Sequence, residues 1–474
     1  MENKIVSGTI GFIFFVFVSS CSPDGHPEPY GALPSGAQME WQHMAYYMFV
    51  HFGPNTFTDM EWGSGLEDPA VFNPSELDCL QWVATAKAAG MKGIIITAKH
   101  HDGFCLWPSR FSDHTVAQST WLEGRGDVLK ELSSACREYG LKFGIYLSPW
   151  DRNHPGYGTA AYNRIFASTL EEVLTSYGPV FEQWFDGACG DLSVSPYDWD
   201  LFNRTVREHQ PQAVIFSDVG PGCRWVGNET GYAGETNWST MDTSGYSPGK
   251  HAPPFGILNS GQRGGPYWIP AEADVSIRPG WFYSPATDDQ LKTVDQLMDI
   301  YFGSVGRNAN LLLNVPPDRR GRIPAGDSIR LMEFKERRDS LFSVNLAGNA
   351  RVTVSNQQGG GSRKFRPAGI TDNDDRTYWK PADDRTTASF TLHFDRPVTF
   401  SVLSLGEYIP LGQRVARFIA EYSDPEDGKW QLFARGTTIG YRRMFRFRQV
   451  TSEKVRISIL EAGAPPLINR VELY

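Results

Sequence analysis

Between residues 46 and 341 short apolar runs alternate with stretches whose apolar residues recur at helical spacing. Residues 46–52 predict a first strand. Residues 74–89 predict a helix with Leu77, Leu80 and Val83/Ala84 on one face and Gly90 as terminator. Residues 92–97 hold Gly-Ile-Ile-Ile-Thr, an unbroken apolar run of the kind buried in parallel sheets. The same phrase repeats: helix 127–139 (Val128, Leu132, Ala135, Cys136 and Tyr139 in register, Gly140 at its end) and strand 141–147. Helix 162–177 ending at Gly178 and strand 180–185 follow, then helix 201–209 and strand 213–216. A glycine in the left-handed conformation satisfies the last helix carbonyls and returns the chain to the sheet. Residues 220–288, rich in Gly, Pro, Ser and Trp, predict long loops. Residues 310–314 predict the last strand and 325–341 a closing helix.

Repeated units of this kind specify an α/β fold, a parallel sheet with helices outside. Their number favours a closed (β/α)8-type barrel over an open sheet. After residue 345 the texture changes to short alternating runs at 351–355, 389–394, 400–404, 417–422, 430–433, 454–459 and 470–474. Turn residues separate them, as at 357–361 and 423–428, which predicts an all-β sandwich. The organisation is therefore residues 1–21 as a leader, 22–344 as the barrel and 345–474 as the sandwich.

The leader has Lys4, an apolar stretch over 5–18, then Val-Ser-Ser-Cys. The stretch is short for a membrane span and reads as an export signal. Its end resembles a bacterial lipobox, which implies cleavage before Cys21, lipidation of that residue, and residence in the periplasm or at the outer-membrane surface. Net charge is −9 with no long basic run, which argues against nucleic acid as a partner. Of six cysteines, Cys79, Cys105, Cys136, Cys189 and Cys223 remain after Cys21. An odd number cannot all pair, and no metal or redox spacing appears, so buried free thiols are expected. No G-x-G-x-x-G or Walker motif follows any strand, and no cofactor is indicated. Aromatics reach 13%, with 14 Trp, which suits sugar stacking as well as core packing.

Barrel chemistry sits at the carboxyl ends of the strands. There the sequence delivers His51, then His100-His101-Asp102, then Ser148-Pro-Trp150-Asp151, then Trp184-Phe-Asp186, then Ser217-Asp218. Three His, an Asp and two Trp on one rim describe a pocket for hydroxyl groups with aromatic walls. A metal is not favoured: His100 and His101, adjacent at a strand end, are expected to point to opposite sides, and zinc-hydrolase spacings are absent.

The phrases MFVHFGPNTF, EWGSG, GIIITAKHHDGF, KFGIYLSPWDRN, WFDGA, RWVGNETG, DVSIRPGWFY and LLLNVPPDRRG resemble glycoside hydrolase family 29, the α-L-fucosidases, from about residue 40 to 341. GNETG and SIRPGWFY look like the subfamily acting on α-1,3/1,4-linked fucose in branched oligosaccharides. The phrase GITDNDDRTYW looks like a discoidin or galactose-binding-like sandwich. A retaining glycosidase needs two carboxyl groups about 5–5.5 Å apart. The resemblance makes Asp186 the nucleophile and Glu229 the acid/base, with Glu272 as the alternative and Glu235 third. It makes His51, Glu61, Trp62, His100, His101, Tyr146 and Trp184 the fucose pocket, with Phe104 or Trp281 against the sugar methyl. Arg224 and Arg278 are read either as substrate contacts or as loop-stabilising ion pairs. Trp379 and Asp372 are read either as glycan contacts of the tail or as a core plug and a turn. The implied partners are fucosylated oligosaccharides or glycoconjugates, and a membrane only through the lipid on Cys21. Rival readings are an exo-glycosidase for another L-sugar such as α-L-galactose, and a catalytically inactive carbohydrate-binding barrel.

Overall fold

The computed structural model describes residues 27–190, 196–355, 365–381 and 385–474. Cys21 and the turn at 357–361 lie outside these residues. The first helix, α1 (Gly36–Met44), opens with a capping box in which Ser35 and Gln38 satisfy each other's backbone N–H. The chain then runs β1 (Tyr46–Val50), α2 (Pro54–Thr58), α3 (Cys79–Ala88), β2 (Gly93–Lys99), α4 (Val128–Tyr139) and β3 (Lys142–Leu147). It continues through α5 (Ala160–Ser176), β4 (Glu182–Trp184), α6 (Trp199–His209), β5 (Val214–Ser217) and β6 (Cys223–Trp225). A hairpin of β7 (Thr240–Met241) and β8 (Tyr267–Trp268) brackets α7 (Phe255–Ser260). Then come β9 (Ala271–Ser276), α8 (Val294–Gly303), β10 (Ala309–Asn314) and α9 (Ala325–Leu341).

Eight of these strands close a parallel barrel in the order β1-β10-β9-β6-β5-β4-β3-β2. Every residue of β1, β2, β9 and β10 is buried, as a sheet covered by helices on one side and filled on the other requires. Helix α4 shows how the sequence encodes one unit. Asp127 caps its N-terminus, and Val128, Leu129, Leu132, Ala135 and Cys136 face inward. Gly140, at φ 71°, turns the chain into β3.

Two expectations need correction. Residues 220–288 are not loops alone: they contain the barrel strands β6 and β9. Neither shows an apolar run, because β6 is three residues long and carries Arg224, while β9 carries Glu272 and Asp274. No helix separates β5 from β6; the Gly222 N–H returns directly to the Ile215 carbonyl at 2.9 Å. Helix α3 begins at Cys79, not at 74, because Asp78 caps it through the Gln81 N–H. Its inner face is Cys79, Trp82, Val83 and Ala86, and Leu80 is exposed.

The tail is antiparallel: β11 (Arg351–Val354), β12 (Ala388–Glu407), β13 (Val415–Ser423), β14 (Trp430–Gly436), β15 (Arg443–Ala462) and β16 (Ile468–Leu473). The order is β11-β12-β15-β13-β14, with β16 also on β12. The runs at 389–394 and 400–404 are one strand, and register shifts interrupt its pairing with β15. Both arms of β12 and β15 feed one apolar cluster, which includes Phe390, Leu403, Phe418, Ile457 and Leu473. Trp379 is fully buried in that cluster, and Asp372 accepts from the Asp374 N–H and the Thr377 hydroxyl. Trp379 is thus the core plug, with no surface to offer a glycan, and Asp372 holds the turn. The sandwich is joined to the barrel by Asn237 N–H to Thr438 (2.8 Å), Ser239 N–H to Gln413 (2.7 Å) and Tyr441 N–H to Asn308 (2.8 Å). Val402 of β12 and Met444 of β15 belong to the barrel's own apolar cluster.

Candidate active site

The rim at the carboxyl ends of the strands gathers most of the residues singled out from the sequence. Asp186 lies two residues beyond β4, with its side chain 26% exposed. Both carboxylate oxygens are held. The Ala188 N–H donates to Oδ1 at 2.8 Å, and the buried Tyr146 hydroxyl, from β3, donates to Oδ2 at 3.0 Å. Tyr146 in turn stacks on Trp184 (5.1 Å between ring centres) and on His100 (5.6 Å, 14° between planes). Trp184 stacks on Phe216 at 3.9 Å. The nucleophile candidate therefore stands on a column of aromatic rings.

The three histidines converge. The His100 and His101 rings lie 4.2 Å apart, contrary to the expectation that they point to opposite sides. Strand β2 ends at Lys99, and the turn that follows at His101 and Asp102 breaks the alternation. Burial lowers the pKa of all three, that of His51 to about 3. Tautomers follow from their partners. Asn314, at the end of β10, presents Oδ1 to both the His51 N–H (3.2 Å) and His51 Nδ1 (2.9 Å). Its Nδ2 donates to Ser276 Oγ (2.9 Å) and the Trp281 carbonyl (2.8 Å). So Nδ1 of His51 carries the proton, and Nε2 is a bare acceptor. Ser148 donates to the Trp150 carbonyl (3.0 Å) and accepts from His101 Nδ1 (2.8 Å). His101 Nε2 then faces Asp186 Oδ2 at 3.6 Å, too far for a direct hydrogen bond.

The facing wall comes from β1, β6 and β9 loops. Glu229 follows β6, on a turn that Asn228 fastens through Thr230 N–H (3.1 Å) and the Tyr232 carbonyl (2.9 Å). Its Oε2 accepts from Trp281 Nε1 at 3.3 Å. Glu61 accepts the Trp281 N–H with both oxygens, at 2.8 and 3.0 Å. Burial, then the charge of Asp186, raises the Glu229 pKa against the indole N–H. Burial raises that of Glu61 as well, opposed by backbone N–H groups of Trp281 and Phe282. These residues line a cavity of about 470 Å³ with Trp62, which is 56% exposed and packs on Trp150. Trp281 covers His51 at 5.0 Å, and Phe282 closes on His51 and His100 at 5.4 and 5.1 Å.

Several singled-out residues lie elsewhere. Arg224 is fully buried outside the barrel wall, holding the carbonyls of Leu258 and Ile269 and the Asn237 side chain. Arg278 is 1% exposed and commits its guanidinium to Asp327, Thr287 and Asp288. Both guanidinium groups are committed to pinning loops, although Arg278 also borders the cavity of Glu61, Glu229 and Trp281. Glu272 is fully buried beneath the pocket, between Trp184 Nε1 (2.8 Å) and the Tyr47 hydroxyl. That position gives it no access to a leaving group. Glu235 pairs with Arg307 at 3.6 Å near the sandwich. Phe104 is in the outer core against Phe72 at 5.2 Å, which leaves Trp281 as the apolar wall. Among the described residues Cys79, Cys105, Cys136 and Cys223 are buried free thiols, and Cys189 is half-buried. The sequence placed Ser148 on the rim without assigning it a partner, and did not single out Asn314 or Phe282 as site residues. Asn314 showed in the sequence as a polar residue ending an apolar strand, inside the phrase LLLNVPPDRRG.

A parallel eight-stranded barrel whose rim holds a fixed carboxylate, a second raised carboxyl group, neutral imidazoles and aromatic walls defines a barrel glycoside hydrolase. The alpha-L-fucosidase family model matches residues 29–336. Alpha-L-fucosidase 1 of Arabidopsis thaliana is 43% identical over 98% of this chain and 93% of its own length. A putative alpha-L-fucosidase from Bacteroides thetaiotaomicron superposes with TM-score 0.89 at 40% identity, over 94% of this chain and 98% of that one. A Ruminococcus gnavus GH29 fucosidase, solved in complex with fucose, superposes with TM-score 0.86 at 32% identity, over 95% and 96%. The chain belongs to the α-L-fucosidases of glycoside hydrolase family 29.

Proposed function

We propose that this α-L-fucosidase is a retaining exo-enzyme with Asp186 as nucleophile and Glu229 as acid/base. The observation that carries the reading is the contrast between the two carboxyl groups. Asp186 is held from both sides by Tyr146 and the Ala188 N–H, which suits an oriented anion. Glu229 has a raised pKa, in part because it feels the charge of Asp186, which suits a protonated acid. In the first step an Asp186 oxygen bonds to the anomeric carbon as the glycosidic bond breaks, and the Glu229 proton goes to the leaving oxygen. Esterification removes the charge of Asp186, one of the causes that raise the Glu229 pKa. Glu229 then reverts towards an ordinary carboxylate and takes a proton from water. The water oxygen bonds to the anomeric carbon and the ester bond breaks. His51 Nε2 and His101 Nε2 accept from sugar hydroxyls, and Trp281 walls the methyl group.

The test is Asp186→Gly with azide on an activated aryl α-L-fucoside. Activity should collapse and return in part with a β-fucosyl azide as product. A wild-type product released with inverted configuration would overturn the retaining assignment. GNETG and SIRPGWFY support a preference for α-1,3/1,4-linked fucose in branched oligosaccharides, to be tested against α-1,2- and α-1,6-linked isomers. GITDNDDRTYW supports a discoidin-like tail, and the charged head, apolar stretch and Val-Ser-Ser-Cys support export with a lipid on Cys21. Loss of labelled palmitate from a Cys21→Ser protein is the check on the last.

A further inference from the structure

Beneath the pocket, inside the barrel, two carboxyl groups meet. Glu182 of β4 and Glu272 of β9 are both fully buried. Their oxygens and the Cys223 sulfur all lie within 4.8 Å of one another, a set that would suit a metal ion. Each oxygen already faces a hydrogen-bond donor. Trp41 Nε1 donates to Glu182 Oε2 at 2.7 Å, and the Cys223 thiol points at Glu182 Oε1 at 3.7 Å. Trp184 Nε1 donates to Glu272 Oε1 at 2.8 Å, and the Tyr47 hydroxyl to Oε2. Two ionised carboxylates cannot abut in so dry a place; one proton must stand between them.

The other ionisable neighbours do not relieve the charge. Asp274, also of β9, is a further buried carboxyl, bonded to Trp225 Nε1 at 2.8 Å. Cys223 and Tyr47 are neutral acids that burial keeps protonated. Arg224, beside Cys223 on β6, points away, to the carbonyls of Leu258 and Ile269.

We infer that Glu182 and Glu272 form a proton-sharing acid pair that positions the catalytic column, with Glu272 gripping Trp184 from below while Trp184 supports Tyr146 and Tyr146 holds Asp186. Glu272 is thus a positioning residue, not a catalytic one. The geometry explains why a strand otherwise suited to an apolar core carries two acids: Trp and Tyr each bring one polar hydrogen into the barrel, and an acceptor must meet it. The inference rests on the proposed role of Asp186 only for its kinetic arm.

The experiment uses the full chain and the variants Glu182→Gln, Glu272→Gln and Glu272→Ala. A carboxyl group whose pKa is raised by folding contributes stability below its unfolded pKa, and that stability is lost as pH rises through the folded value. The wild-type melting temperature, followed from about pH 5 to about pH 9, should therefore contain a decline that both glutamine variants lack. An amide beside one carboxylate reproduces the singly protonated pair without a proton to lose. Glu182→Gln should keep kcat within about threefold of wild type, and Glu272→Ala should lower kcat roughly tenfold or more, through a misplaced Asp186, with KM little changed. If Glu272→Ala does not fold, Tyr47→Phe serves instead. It removes a donor that stabilises the Glu272 anion, so the decline should move to higher pH. Identical melting profiles in wild type and glutamine variants would overturn the shared proton, whether or not a fucoside is turned over. A folded Glu272→Ala with wild-type kcat would overturn the positioning role.

Discussion

The hydroxyl of Tyr146, a side chain buried in the barrel, donates to Oδ2 of Asp186 at 3.0 Å. The bond crosses from β3 to the residue pair after β4, so it fixes the nucleophile relative to the barrel and not to its own loop. Hydrogen bonds to a charged group contribute about 1.5–3 kcal/mol. Tyr146→Phe should lower kcat/KM for an aryl α-L-fucoside roughly ten- to hundredfold while the melting temperature changes little. A variant within about twofold of wild type would show that the Ala188 N–H alone suffices.

Asn314 sets the proton on His51 Nδ1 and leaves Nε2 to accept from a sugar. Asn314→Leu frees the ring to take the other tautomer and strands buried polar hydrogens, at a cost of about 1–3 kcal/mol. The loss should fall on KM more than on kcat, measured by steady-state kinetics. His51 itself, with a pKa near 3, should contribute no acid limb to the rate profile between pH 5 and pH 7.

The alkaline limb of kcat/KM reports the acid. Glu229 must be protonated to act, and burial and the Asp186 charge raise its pKa, so this limb should lie above the ordinary glutamate range. The Trp281 indole N–H stabilises the Glu229 anion. Trp281→Phe removes that donor and should move the alkaline limb to higher pH, because the charged form loses a partner. A limb that stays in place, or moves down, would separate it from Glu229.

Arg278 and Asp327 form a pair with side chains 1% and 0% exposed. Arg278→Met strands the Asp327 carboxylate, and breaking such a pair costs about 3–5 kcal/mol. Chemical denaturation at neutral pH should show the loss. The deficit should shrink as pH falls, because protonation of Asp327 removes the unpaired charge. A constant deficit across pH would point to lost packing instead.

Where periodicity was strong, the sequence was legible. Helix α4 and its Gly140 terminator fell within one residue of expectation, and α9 matched at both ends. Strands β6 and β9 were not legible, because acids and an arginine interrupt the apolar run that marks a buried strand. Their side chains are satisfied by partners far away in sequence, such as Tyr47 and Asn237. The rim residues stood out because each follows a strand. Their tautomers did not, since these depend on hydrogen bonds to Asn314 and Ser148 that only the folded chain brings together. Arg224 and Arg278 look alike in sequence whether they bind sugar or loops. Only the carboxylate and carbonyl groups around them decide.

Val402 and Met444 belong to the sandwich by chain and to the barrel by packing. The tail therefore supplies part of the barrel's outer wall, where α8 meets β15. Cutting the chain near residue 344 would uncover oily surface and strand the hydrogen bonds of Asn237, Ser239 and Asn308. What looks like an appended module behaves as a load-sharing wall, and exchange of this tail between relatives has to carry both faces of the joint together.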